Sequence, residues 1–227
     1  MTLLDFARGP ALYLSLFIFV LGTGWRLLHL WRRPRMPDLS PAREGMPSNA
    51  VAARKAIVRG MWPRQEFGQA ALVTTYNGYI FHIGLAVVFL GYAPHIAFIQ
   101  RITWLSWPAL PDVVMYFAAA ATILSLLFAL YWRLTDAVLQ RISNSNDWIT
   151  WTVTFLPMIT GMAVINESSA ITVAREQVIY PTPLAIHLLS LELLLIWFPF
   201  GKLMHAILFA FSRGSTGIRF NHRGVEL

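Results

Sequence analysis

Two histidines, His187 and His205, stand inside one apolar stretch, PLAIHLLSLELLLIWFPFGKLMHAILFAF at 183–211 of a 227-residue chain. That stretch is longer than the roughly 20 residues a helix needs to cross a bilayer. Eighteen positions make five turns, so one continuous helix would project both imidazoles from a single face, about 27 Å apart. An imidazole is costly in hydrocarbon, and two on one stripe suggest ligation of a redox metal, because a b-type haem is held by paired histidines from neighbouring helices. The plainer alternative is a pair of histidines that hydrogen-bond across a packed bundle.

A second helix supplies possible partners. It is expected over about 74–93 and carries His82, with Tyr76, Asn77 and Tyr79 in its first turns. If the last helix runs the other way, His82 and His205 fall at similar depth and can share one metal. His95 follows thirteen positions after His82, which on a straight helix would turn it about 220° away. Pro94 removes that constraint by bending or ending the helix just before His95. His95 or Tyr92 would then be the partner of His187. Glu192, five residues after His187, is a carboxyl in an apolar run, suited either to a neutral structural acid or to a proton relay. Arg101 is the one charge of the Trp-rich segment 96–110, suited to a haem propionate or quinone headgroup, or to snorkelling towards lipid phosphate. His29 and His222 lie where solvated side chains are expected.

These residues need a membrane scaffold, and the composition provides one. The chain is 56% hydrophobic and only 13% charged, where a soluble domain has about 25% charged residues. Apolar runs predict a single all-α bundle of five transmembrane helices at about 10–31, 74–93, 111–132, 148–164 and 183–211. Fifteen of the eighteen Lys and Arg fall in or beside the loop 34–71, the 133–147 loop or the tail 212–227. Only Arg8, Arg101 and Arg175 lie on the other side. That sorting places the N-terminus outside and the C-terminus in the cytoplasm, and explains the net charge of +7 by topology rather than by nucleic acid. Residues 1–9 are expected as a short leader and 165–182 as an outer loop. AVAARKAIVRGMW, within 34–71, could form a surface helix or a docking face, and the basic tail a contact strip for a partner. Cysteine is absent, which excludes disulfides, thiol catalysis and iron–sulfur ligation by this chain.

The pattern H187-LLSLELLLIW-FPFGKLM-H205 resembles the last helix of the respiratory nitrate reductase gamma subunit family, membrane cytochromes b that share a histidine, FPF, a basic residue and a second histidine there. FHIGLAVVFLG at 81–91 resembles that family's second helix, which begins with a haem histidine; the likeness covers most of the chain as a five-span pattern. The family usually has another histidine ten positions on, where this sequence has Tyr92. The resemblance implies two haem b groups, one on His82 and His205 towards the cytoplasm and one on His95 and His187 towards the outside. It further implies an inner-membrane, multi-pass subunit that is not itself the terminal catalytic subunit. Such a subunit exchanges electrons between quinone and a cytoplasmic iron–sulfur subunit with its associated catalytic subunit. Similar gamma-type subunits serve sulfite-reduction-linked and heterodisulfide-reductase-like complexes. Tyr92 and Arg101 are the expected quinone contacts and Glu192 the candidate proton relay. A haem-free anchor or assembly subunit is the alternative reading.

Overall fold

The computed structural model describes residues 1–34, 38–62, 68–173 and 181–225, with side chains in 68–71, 165–173 and at Pro181 left aside. Among the described residues the chain is all helical. The helices are α1 (Leu3–Arg32), α2 (Asn49–Arg59), α3 (Gly68–Gly91), α4 (Ala93–Thr103) and α5 (Asp112–Thr135). They are followed by α6 (Ala137–Ile142), α7 (Ser145–Val173), α8 (Pro181–Trp197) and α9 (His205–His222). Three of them are long and apolar enough to cross a membrane: α1, the Leu72–Gly91 part of α3, and α5. The α8–α9 pair passes the same test only as a bent unit, with an angle of 78° between its halves.

The expected single helix over 183–211 is therefore corrected to two. The break is the sequence Phe198-Pro199-Phe200-Gly201. Pro199 has no N–H to continue the ladder, and the chain turns before a short 3₁₀ segment at Lys202–Met204. Pro199 is buried against α1 so closely that a Cβ at Gly22 would lie 2.7 Å from its ring, and Phe198 meets Phe19 edge-on at 5.1 Å. His187 and His205 thus occupy different rigid pieces rather than one stripe of one helix.

The other boundaries shift for similar local reasons. The second helix begins at Gly68 and stops at Gly91; Tyr92 is extended, and Pro94 sits in the first turn of α4, where its missing N–H costs nothing. The amphipathic 96–110 segment is helical only to Thr103. Beyond it the chain folds back, with Trp107 Nε1 donating to the Leu90 carbonyl at 2.6 Å and the Leu110 N–H to that of Gly91 at 2.9 Å. Residues 3–9 are helical, with a π-turn over Ala7–Ala11 at Pro10, so the expected leader is part of α1. The fourth helix runs from Ser145 to Val173 rather than over 148–164, so the first half of the expected 165–182 loop is helix, while 174–180 lie outside the described residues. Within 133–147 there is a further short helix, α6, whose N-terminus Asp136 caps by accepting from Val138 and Leu139.

Packing arranges the long helices in the order α3, α5, α7, α8, α1. Contacts between them use small and hydroxylated residues, as expected for helices without a hydrophobic drive to associate. Ser125 Oγ donates to Asn77 across α5 and α3 at 2.9 Å, and a Cβ at Gly84 would overlap Thr122 Oγ1. Helices α9 and α2 form a separate pair, in which Gly217 lets Ala52 and Ala56 approach directly. Asp38, beside that pair, is held well below the usual carboxylate range by hydrogen bonds from Ser40 and then from Arg223.

Candidate cofactor site

The four histidines meet in two pairs. The ring centres of His82 on α3 and His205 on α9 are 6.0 Å apart with planes at 88°, and those of His95 on α4 and His187 on α8 are 6.4 Å apart with planes at 15°. Yet among the described residues α3 and α4 share no broad contact with α8 or α9, so each pair of rings reaches across between helices that stand apart. Two imidazoles on opposite sides of one metal ion, each bonded at about 2.0 Å, would have ring centres about 6 Å apart. Both separations fit that arrangement.

Each ring is also turned by a second contact. Nδ1 of His82 lies 2.7 Å from the Gly78 carbonyl, Nδ1 of His205 2.7 Å from that of Lys202, and Nδ1 of His95 3.2 Å from that of Val88. A carbonyl can only accept, so these contacts place the proton on Nδ1 and leave Nε2 with its lone pair. His187 achieves the same with a hydroxyl. Thr160 donates to the Leu156 carbonyl at 2.7 Å, which leaves its oxygen to accept from His187 Nδ1 at 3.2 Å. Ser190 sits 3.0 Å from Thr160 and donates to the His187 carbonyl at 2.6 Å. Anchoring one ring nitrogen so that the other faces a metal is the usual arrangement around metal-bound histidine. Ring separation and an anchored Nδ1 at each pair are what two histidines would need in order to hold a haem between them. Three-residue clusters of His, Asp or Glu suited to a bare metal ion are absent among the described residues.

Several of these supporting residues escaped the sequence reading. Gly161 packs its backbone against His187, since a Cβ there would lie 3.2 Å from the ring. The turn before His205 is clamped from α7: Asn146 Oδ1 accepts from the Lys202 N–H at 3.1 Å, and Asn146 Nδ2 donates to the Phe200 carbonyl at 3.4 Å. Asp147 accepts from the Asn144 N–H as the third residue of α7, and it also binds Lys202 Nζ at 2.5 Å and Arg133 Nη1 at 3.2 Å. Burial raises the Asp147 carboxyl, but the Lys202 hydrogen bond, the Asn144 N–H and the two cations outweigh it and hold the group below its ordinary range. A Thr-Gly pair in an apolar helix and an Asn-Asp pair at a helix start were the available signals.

The remaining candidates are placed as follows. Tyr92 lies against His95, with ring centres 5.2 Å apart. Arg101 is exposed in the last turn of α4, nine residues further on. Glu192 is buried at 3% exposure, and neither carboxyl oxygen has a hydrogen-bond partner among the described residues. Five residues turn it about 140° from His187, and its place seven residues before Pro199 puts it on the helix face that meets Gly22 of α1. His29 is exposed near the end of α1.

No family model matches the sequence. A relative from Nitratidesulfovibrio vulgaris (strain Hildenborough), which carries only the name "Protein", is 29% identical over 224 residues, covering 95% of this chain and 92% of its own length.

Proposed function

We propose that the chain is a dihaem b-type cytochrome subunit of a respiratory complex, akin to nitrate reductase gamma subunits, carrying electrons between membrane quinone and a cytoplasmic iron–sulfur subunit. The observation that supports this is the double pairing of anchored imidazoles, His82 with His205 and His95 with His187. Haem would supply the one-electron chemistry, and the protein would supply ligands, burial and the hydrogen bonds that tune potential. In this reading α1, α3, α5, α7 and the bent α8–α9 unit make five crossings of the inner membrane, with the N-terminus outside. The Lys and Arg sorting supports that orientation. The His82–His205 pair then lies towards the cytoplasm, where both rings are exposed at the edge of the helices, and the half-buried His95–His187 pair lies towards the outside.

Quinone is assigned to the outer pair, with the Tyr92 hydroxyl and the Arg101 guanidinium as the groups that would bond its oxygens. Glu192 would serve a proton path only by way of the α1–α8 interface that it faces.

The test is the absorbance of the purified chain. Two haem b per chain, with a sharp reduced alpha band, is the expected result. A haem-free chain that still assembles with soluble subunits would instead make it an anchor.

A further inference from the structure

Helix α9 leaves α8 at 78°, so if α8 follows the bilayer normal, α9 runs nearly in the membrane plane for about 27 Å. Its two faces are distinguishable. Gly214, Gly217 and Asn221 are buried against α2 and its approach, with Asn221 Nδ2 donating to the Pro47 carbonyl at 2.9 Å. His205 projects from the opposite face, towards His82 on the membrane-crossing α3. The His205 face must therefore be the bilayer side, and α2 lies beneath α9 on the water side.

Along that bilayer face the chemistry changes in order. Leu208 and Phe209 come first, then Ser212 and Thr216, then Arg219. A helix that starts at the hydrocarbon edge and descends gently would meet acyl chain, glycerol and phosphate in that sequence. The segments 38–62 and 202–225 together carry eight Lys and Arg against two carboxylates. Among those cations, Arg213 lies over Gly60 at the C-terminal end of α2, Arg223 binds Asp38 at 3.0 Å and Lys202 binds Asp147 of α7. Arg219 is exposed on the His205 face and has no side-chain partner among the described residues.

We infer that α9 is an in-plane helix seated in the headgroup layer of an anionic phospholipid leaflet, with Arg219 paired to lipid phosphate and α2 held off the bilayer as its water-side cover. The placement rests on the cytoplasmic, membrane-bound reading given above but not on haem. Of the two readings of AVAARKAIVRGMW at 50–62, a helix on the membrane surface or a docking face, it favours the second. Juxtamembrane cations of this kind are drawn to anionic lipid within a Debye length of the surface.

The chain has no cysteine, so single labels can be placed without background. Spin labels on Thr216→Cys and on Val58→Cys, an exposed position on the far side of α2, are compared in the full chain in nanodiscs of phosphatidylglycerol or of phosphatidylcholine. In phosphatidylglycerol the Thr216 label should be relaxed more by oxygen than by a water-soluble nickel chelate, and the Val58 label the reverse. Arg219→Gln should raise nickel access at Thr216 several-fold in phosphatidylglycerol and leave it unchanged in phosphatidylcholine. A Thr216 label as open to nickel as the Val58 label in both lipids would overturn the placement and leave the face to a protein partner. Equal depth in both lipids, insensitive to Arg219→Gln, would overturn the phosphate recognition. An absorbance spectrum of the same sample keeps the two ideas apart, since a seated label without haem bands sinks the cytochrome reading alone.

Discussion

The Lys202 carbonyl holds His205 Nδ1 at 2.7 Å, while the amide N–H of Lys202 is held by Asn146 at 3.1 Å. One residue of the turn thus passes the position of α7 on to the ring of α9. Replacing Asn146 by Ala is expected to loosen the His205 ring without removing it. On the dihaem reading proposed above, the measurement is the midpoint potential and linewidth of the inner haem, which should shift and broaden while the outer haem is unchanged. His205→Ala should instead remove one haem of two.

At the other pair the sensitive position is Gly161. A valine there would drive its branches into the His187 ring, which already lies 3.2 Å from where a Cβ would be. Gly161→Val is expected to lose the outer haem and retain the inner one, read as a halved haem-to-protein ratio. Retention of both haems would mean that His187 does not ligate from this position.

The two pairs differ in ring orientation, 88° against 15°. Were each pair to hold a haem iron, perpendicular imidazoles would donate equally into both of its π-type orbitals and leave them nearly degenerate, whereas parallel ones would split them. The oxidised protein should therefore show one highly anisotropic low-spin electron paramagnetic resonance signal and one ordinary rhombic signal. His205→Ala should remove the anisotropic one.

Asp147 makes the α5–α7–Lys202 junction sensitive to acid. Because its folded-state carboxyl is held low, its contribution to stability is complete above the unfolded value, about pH 4, and is lost as pH falls through the lower folded value. Asp147→Asn should flatten the fall in thermal stability below about pH 4. At neutral pH it should cost roughly 1–3 kcal/mol, less than a fully buried pair, because Lys202 and Arg133 keep 52% and 29% exposure.

For quinone, Tyr92→Phe and Arg101→Ala should each slow haem reduction by a quinol analogue about tenfold or more, with haem content intact. Unchanged rates in both would move the exchange site away from α4.

The histidines were legible in the sequence because a polar ring in an apolar run cannot be hidden, and Pro94 announced a break that leaves His95 beside His187. Pro199 stood in the sequence equally plainly, yet the run around it is so apolar that length outweighed it, and a single helix over 183–211 was expected. The Thr160, Gly161, Asn146 and Asp147 contacts were not legible. The partners across helices lie between 14 and 56 positions away, and no local pattern encodes which helix will lie alongside. Orientation was read from charge alone, which speaks of loops and not of the helix ends that α9 and α2 turn out to form.

Both histidine-bearing helix pairs of this fold are jointed, one at Tyr92 and one at Phe198–Gly201, and each imidazole pair takes one residue from before a joint and one from after the other. His82 precedes its joint and His205 follows the opposite one; His187 precedes and His95 follows. A bridge across either pair would act as a crossed brace, fixing an angle in one hinge by tying it to the far side of the other. Bending stiffness in this molecule would then belong to the closed quadrilateral and to neither helix alone, so filling a single pair should leave one diagonal slack, visible as faster amide exchange around both joints together.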